Sequence, residues 1–121
     1  MKKILIIEDD CRHQEEYRSY LWDKVELFQA YTAQEAMKIL DLHGEDIDYV
    51  WMDFYLDEKD HTKNTIELTL HIKQKFKKIK IIAASWHKES REVQMWMLRC
   101  DMESEKDNLA VLIEALINDK K

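Results

Sequence analysis

Short apolar runs alternate along this chain with longer stretches in which apolar residues recur at helical spacing. A short apolar run between polar residues is typical of a strand that is buried on both faces. Four such runs predict strands at residues 4–7, 25–30, 48–53 and 80–84, and a weaker, polar stretch predicts a fifth at residues 100–104. Strands that alternate with helices favour an α/β fold, with a doubly wound parallel sheet covered by helices on both faces.

The predicted helices fill the stretches between these strands, at residues 11–22, 32–43, 65–76, 89–98 and 108–117. Thr32 is followed three residues later by Glu35, a capping box that predicts the start of the second helix. Gly44 is expected to end that helix. Between Phe54 and Asn64 both patterns lapse, which predicts a long exposed loop after the third strand.

Carboxylates follow two of the predicted strands. Glu8 and Asp9 come directly after the first strand, and Asp53 closes the third. The carboxyl ends of parallel strands meet at one edge of an open sheet, so these three side chains are expected in one pocket. Like charges this close raise each other's pKa unless a cation neutralises them, and Mg²⁺ prefers oxygen ligands. The sequence therefore predicts a Mg²⁺ site formed by Glu8, Asp9 and Asp53.

Composition narrows the class of protein. The 121 residues, 45% of them apolar, predict one domain spanning residues 1–121. A net charge of −6 argues against nucleic-acid binding, and no apolar stretch is long enough to predict a membrane span. Cys11 and Cys100 form no metal-binding or disulfide pattern, which favours reduced thiols and a cytoplasmic location.

Taken together, these motifs make the chain resemble a receiver domain of the two-component response-regulator family over essentially its whole length. The resemblance rests on the acidic pair after the first strand, on Asp53, on Ser85 after the fourth strand and on Lys106 after the fifth. It implies a flavodoxin-like sheet with strand order 2-1-3-4-5. Since the sequence ends soon after the last helix, a stand-alone receiver domain is expected.

The resemblance also implies a function. Asp53 would accept a phosphoryl group from a histidine kinase or a phosphotransfer protein, in a reaction that depends on Mg²⁺. The carbonyl of Tyr55 would be a further metal ligand, and Lys106 and the Ser85 hydroxyl would bind phosphoryl oxygens. The protein would then not be an enzyme acting on a separate substrate, because it would catalyse its own phosphorylation and dephosphorylation.

Signalling would proceed by contact with an unknown downstream protein. The resemblance places this contact on the face formed by the fourth helix, the fifth strand and the fifth helix, which could also form a homodimer. Arg91, Gln94 and Glu103 are expected to be exposed there.

Several positions depart from the family pattern. Asp57 and Asp107 replace two prolines, Glu103 replaces an aromatic residue, and Trp86 replaces a small one. The loop after Asp53 is also longer than usual. A pseudo-receiver, which binds a partner without phosphorylation, therefore remains an alternative. A Mg²⁺-dependent aspartyl phosphatase of the haloacid-dehalogenase type is a weaker one, because Tyr55 stands where that class needs a second Asp.

Trp86 has two expected positions. Its indole could pack under the fourth helix and leave Asp53 open, or fold across the pocket and shield Asp53. The intact acidic cluster favours the open arrangement.

Overall fold

The computed structural model describes residues 1–57 and 63–118, apart from the side chain of Ala110. The central part of the predicted loop between Phe54 and Asn64, residues 58–62, lies outside the described residues. The strands are β1 (Lys3–Ile7), β2 (Glu26–Ala30), β3 (Tyr49–Met52), β4 (Lys80–Ala83) and β5 (Met102–Glu103). They form a five-stranded sheet of order β2-β1-β3-β4-β5 in which every neighbouring pair is parallel. The predicted fold class and strand order are confirmed.

The helices of the described residues lie between and after these strands: α1 (Cys11–Leu21), α2 (Ala33–His43), α3 (Ile66–Lys75), α4 (Lys88–Glu92) and α5 (Leu109–Ile117). A π-helical segment, Val93–Met97, continues α4, and a 3₁₀ turn, Lys106–Asn108, leads into α5. The stretch predicted as one fourth helix is therefore a short α-helix followed by a wider helical turn. Among the described residues, no helix is long and apolar enough to cross a membrane.

Side-chain caps explain where the first two helices begin. The carboxylate of Asp10 accepts a hydrogen bond from the N–H of Arg12, at 2.9 Å. The hydroxyl of Thr32 accepts one from the N–H of Glu35, at 3.1 Å, and the Glu35 carboxylate accepts one from the N–H of Tyr31. These bonds satisfy N–H groups that have no partner within the helix.

The core has two layers because successive side chains of a strand point to opposite faces of the sheet. In β1, Leu5 and Ile7 pack against α2 and α3, whereas Ile4 and Ile6 pack against α1 and α5. All four are fully buried. Burial on both faces fixes the central strands firmly, so that residues just after their carboxyl ends are held at one edge of the sheet.

Candidate functional site

The ends of β1 and β3 bring the predicted carboxylates together. Ile7 pairs with Met52 across the two strands, and the N–H of Asp53 donates to the carbonyl of Ile7 at 3.2 Å. Oxygen atoms of Glu8, Asp9 and Asp53 consequently lie within 4.8 Å of one another. This cluster of acids could hold a metal ion.

Lys106 lies between two of these carboxylates. Its Nζ is 2.6 Å from Glu8 Oε1 and 3.0 Å from Asp53 Oδ2, and all three side chains are buried. The 3₁₀ turn after β5 places the lysine here, with Asp107 in place of the proline of the family pattern. The predicted site residues Glu8, Asp9, Asp53 and Lys106 are thus assembled in one pocket.

Acidic groups outnumber basic ones in this pocket, where Lys106 faces a cluster of three acids. Burial, and after it the charge of Glu8, raises the pKa of Asp53 to about 8, although Lys106 opposes both effects. Burial, followed by the hydrogen bond and charge of Glu8, raises the pKa of Asp9 to about 6. Burial lowers the pKa of Lys106, but the charges of Asp53 and Glu8 outweigh this, and the net shift is upward. One lysine therefore does not fully neutralise three acids.

The donor set fits a hard divalent cation. All three acidic side chains offer oxygen, which is the ligand that Mg²⁺ prefers. Glu8 Oε1 is buried and, apart from its ion pair with Lys106, has no hydrogen bond of good geometry among the described residues. An added positive charge would also offset the burial and the repulsion from Glu8 that raise the pKa values of Asp9 and Asp53.

Hydrogen bonds hold Asp53 in place. Its Oδ1 accepts from the N–H of Phe54 at 2.9 Å, and its backbone carbonyl accepts from Thr65 Oγ1 at 2.7 Å. The carbonyl of Met52, the preceding residue, accepts from Gln94 Nε2 at 2.9 Å. The Asp53 carboxylate is therefore carried by a backbone that hydrogen bonds from two neighbouring elements hold in place.

Ser85 and Trp86 follow β4 at the same edge. Ser85 is buried, and its hydroxyl accepts from the N–H of His87 at 3.3 Å. The Trp86 ring centroid lies 5.6 Å from Lys106 Nζ and 5.4 Å from the His13 ring, and 42% of the side chain is exposed. The expectation that Trp86 packs under α4 is wrong, because its ring lines the acidic pocket, where it can lie over the lysine cation.

The start of the loop after Asp53 is tied back to its end. Tyr55 forms an isolated antiparallel bridge with Asn64, and the N–H of Leu56 donates to the carbonyl of Lys63 at 2.8 Å. The metal-binding role of the Tyr55 carbonyl stays a prediction.

The sequence analysis did not place three residues at this site: His13, Thr65 and Gln94. His13 Nδ1 lies 3.7 Å from Glu8 Oε1. The prediction that Gln94 is exposed is wrong, since it is fully buried, whereas Glu103 is exposed and pairs at 3.9 Å with the half-buried Arg91. Helical spacing could have revealed this, because Gln94 stands four residues from the buried Ser90 and from the buried Leu98.

This parallel sheet with helices on both faces defines a doubly wound α/β protein with its acidic site at the carboxyl ends of the strands. Comparison with solved structures narrows the class, because the chain has the fold of response regulator receiver domains. No family model matches the sequence, and no curated protein gives a significant match.

Three solved structures illustrate the likeness. The non-phosphorylated HemR receiver domain from Leptospira biflexa is 21% identical, with a TM-score of 0.79 over 100% of this chain and 98% of that one. A CheY-like receiver domain protein from Methanospirillum hungatei JF-1 is 18% identical, with a TM-score of 0.77 over 98% and 94%. A response regulator from Burkholderia pseudomallei, solved with a phosphorylated aspartic acid, a calcium ion and citrate, is 18% identical, with a TM-score of 0.76 over 98% and 67%.

Proposed function

We propose that this protein is a receiver that accepts a phosphoryl group on Asp53 from a histidine kinase or a phosphotransfer protein, with Mg²⁺ as cofactor. The observation that carries the proposal is the position of Lys106 Nζ, 3.0 Å from Asp53 Oδ2 inside a cluster of three acids. A carboxylate nucleophile, a fixed cation and a set of metal ligands are thereby available in one pocket, as phosphoryl transfer requires.

In the proposed reaction, a carboxylate oxygen of Asp53 attacks the phosphorus of the donor. The bond from phosphorus to the donor nitrogen or oxygen breaks, the leaving group keeps the electron pair, and an aspartyl phosphate forms. Glu8, Asp9, Asp53 and the Tyr55 carbonyl would hold Mg²⁺, which when bound supplies charge neutralisation for the transferring group. The phosphorylated aspartic acid of the Burkholderia pseudomallei response regulator offers a precedent on the same fold.

Lys106 and Ser85 would act on the phosphoryl oxygens. Asp53 Oδ1 already accepts from Phe54 and Oδ2 faces Lys106, so Lys106 must exchange Asp53 for a phosphoryl oxygen during the reaction. Its second contact, with Glu8, keeps the charge in the pocket throughout. The Ser85 hydroxyl, which accepts from His87, would donate to another phosphoryl oxygen.

The product would signal by protein contact through the face of α4, β5 and α5. Formation and loss of the phosphoryl group would be self-catalysed, so no separate substrate is turned over. We place the protein in the cytoplasm, where histidine kinases present their phosphoryl groups.

Intact mass spectrometry tests the proposal. Wild type incubated with acetyl phosphate and Mg²⁺ should gain one phosphoryl mass, whereas Asp53→Asn should gain none. Chelation of Mg²⁺ should slow the gain in the wild type. A wild type that stays unlabelled under these conditions would contradict the proposal.

A pseudo-receiver is the second candidate, and two observations favour it. Only 4% of Asp53 is exposed, and the Trp86 ring lies beside Lys106 at the pocket. A ring in this position could block the approach of a phosphodonor to Asp53.

The variant Trp86→Ala separates the two candidates. If Asp53 is an acceptor, wild type and variant are both labelled, and removal of the ring changes the lifetime of the phosphate because it alters access of water. Trp22→Ala is the matched control, since Trp22 is 69% exposed and lies outside the pocket lining. Labelling of Trp86→Ala alone would identify the ring as a lid and the native protein as a pseudo-receiver.

A further inference from the structure

Gln94 is a buried polar residue, and a contribution to the stability of the fold does not explain why it is there. It is fully buried, and its Nε2 donates to the Met52 carbonyl at 2.9 Å. Its Oε1 is also buried and has no hydrogen-bond partner among the described residues. An unpaired buried oxygen destabilises a fold, so an apolar side chain of similar length would serve the core better. The role of the glutamine therefore lies in the backbone group to which its Nε2 donates.

The group that Gln94 holds is the peptide between Met52 and Asp53. The Met52 carbonyl also accepts from the N–H of Ala84 at 3.0 Å, and the Asp53 N–H donates to the carbonyl of Ile7 at 3.2 Å. Those two bonds belong to the pairing of parallel strands. The bond from Gln94 is additional, and it joins the acceptor peptide to an element outside the sheet.

That element is the π-helical segment Val93–Met97, where the N–H of Leu98 donates to the carbonyl of Val93 at 3.0 Å. Single π turns inside helices occur frequently at functional sites. Trp96 and Met97, in the same segment as Gln94, are each 74% exposed. A side chain at the surface and a side chain bound to the acceptor backbone are thus only two residues apart.

The preceding turn makes a related contact. Arg91, in α4, donates from a guanidinium nitrogen to the carbonyl of Ser85 at 2.7 Å. One continuous helical stretch therefore holds backbone groups at the ends of both β3 and β4. A movement of this stretch would change hydrogen bonds at the ends of both strands.

We propose that Gln94 is a positioning residue for phosphoryl acceptance: it fixes the Met52–Asp53 peptide and links this peptide to the surface that carries Trp96 and Met97. The inference rests on the proposed function of Asp53. A partner that contacts Trp96 and shifts the π-helical segment would draw Nε2 away from the Met52 carbonyl and loosen the acceptor. A phosphoryl group on Asp53 would act on the surface through the same bond.

The variant Gln94→Met tests the link, because methionine keeps the length of the side chain but removes both the donor and the unpaired oxygen. Leu98→Met is the matched control, since Leu98 is buried beside the segment and its backbone and side chain make no hydrogen bond to Met52. We expect the melting temperature of Gln94→Met to be equal to or above that of the wild type. Hydrogen exchange of the Asp53 amide, measured by NMR, should be about tenfold faster than in Leu98→Met.

The rate of phosphoryl gain provides the functional measurement. For Gln94→Met, the maximal rate with acetyl phosphate and Mg²⁺ should fall by about tenfold, since the position of the acceptor changes. The acetyl phosphate concentration at half-maximal rate should stay unchanged, since donor binding does not depend on Gln94.

Two results would overturn the inference. If the Asp53 amide exchanges at the same rate in Gln94→Met and in Leu98→Met, then Gln94 only fills space in the core. A lowered melting temperature with faster exchange throughout the fold would make its role purely structural. If the wild type gains no phosphoryl mass, the proposed function fails, and the exchange measurement still decides whether Gln94 fixes the acceptor peptide.

Discussion

Lys106 is the residue on which the balance of charge at the pocket depends. It is buried, and it faces two buried carboxylates, Glu8 and Asp53, at 2.6 and 3.0 Å. Removal of one partner from a buried ion pair leaves an uncompensated charge in a medium that solvates it poorly. The lysine should therefore matter for stability as well as for phosphoryl binding.

Lys106→Met is expected to lower the free energy of unfolding by about 3 to 5 kcal/mol, because the buried carboxylate of Glu8 loses its cation. Urea denaturation at neutral pH in the presence of a chelator measures this change. Lys24→Met is the control: Lys24 forms a 2.9 Å ion pair with Glu114 at the exposed surface, and its loss should change stability little. Similar effects of the two substitutions would contradict the assigned burial.

The metal-free protein should become less stable as the pH rises. Burial and the charge of Glu8 raise the pKa of Asp53 to about 8 in the folded state, above the value near 3.9 of an unfolded chain. The stability from the protonated form is fully present below the unfolded pKa and is lost as the pH rises through the folded pKa. Melting temperatures between roughly pH 5 and 8, taken with a chelator, should fall more steeply for the wild type than for Asp53→Asn. Parallel curves would show that Asp53 ionises normally.

The helices and strands show which parts of the fold a sequence can specify. β1, β3 and β4 were predictable because a short apolar run between polar residues, such as the isoleucine-rich run at residues 4–7, favours a strand buried on both faces. The positions of Glu8, Asp9 and Asp53 followed from the parallel arrangement. The π turn was not predictable, since a helical pattern does not reveal where one extra residue is accommodated. The position of the Trp86 ring was not predictable, because the ring contacts His13 and Lys106, which are distant from it in the sequence.

Gly44 directly follows α2, and the space around it, rather than its backbone conformation, requires a glycine. Its φ of −54° is helical, so no left-handed conformation requires a glycine. A Cβ at this position would instead lie 2.5 Å from the Leu40 carbonyl oxygen and 2.5 Å from Cε1 of Phe76. The glycine is needed for space between α2 and the end of α3.

Gly44→Ala should therefore destabilise the fold by about 1 to 3 kcal/mol through overpacking. Chemical denaturation measures the change, and Glu45→Ala, at the exposed neighbouring position, is the control. A variant as stable as the wild type would mean that the Phe76 ring moves aside at no cost.

At the scale of the whole molecule, the cluster of Glu8, Asp9 and Asp53 lies at the carboxyl ends of the strands, and several large apolar side chains are exposed elsewhere. Trp96 and Met97, in the π-helical segment that continues α4, are each 74% exposed, and Val111 of α5 is 72% exposed. Both α4 and α5 belong to the face proposed for partner binding. The acidic end is the place where a bound cation would stabilise the entire fold, because only the folded chain brings the three acids together.

Mg²⁺ should raise the free energy of unfolding, by about 2.7 kcal/mol at a concentration 100 times the dissociation constant. Thermal melts over a Mg²⁺ titration measure the effect. Asp9→Ala should abolish the shift and should raise the stability of the metal-free protein, because it removes a charge that repels Glu8. No shift in the wild type would remove the main support for the metal site.

The most direct test of the account is to locate the phosphoryl group on the chain. Wild type is treated with acetyl phosphate and Mg²⁺, digested at acidic pH and sequenced by tandem mass spectrometry. The account predicts the added phosphoryl mass on the carboxylate of Asp53, and its loss on treatment with hydroxylamine, which cleaves acyl phosphates. A phosphoryl mass on a serine, threonine or histidine, or its complete absence, would contradict the assignment of Asp53 as the acceptor.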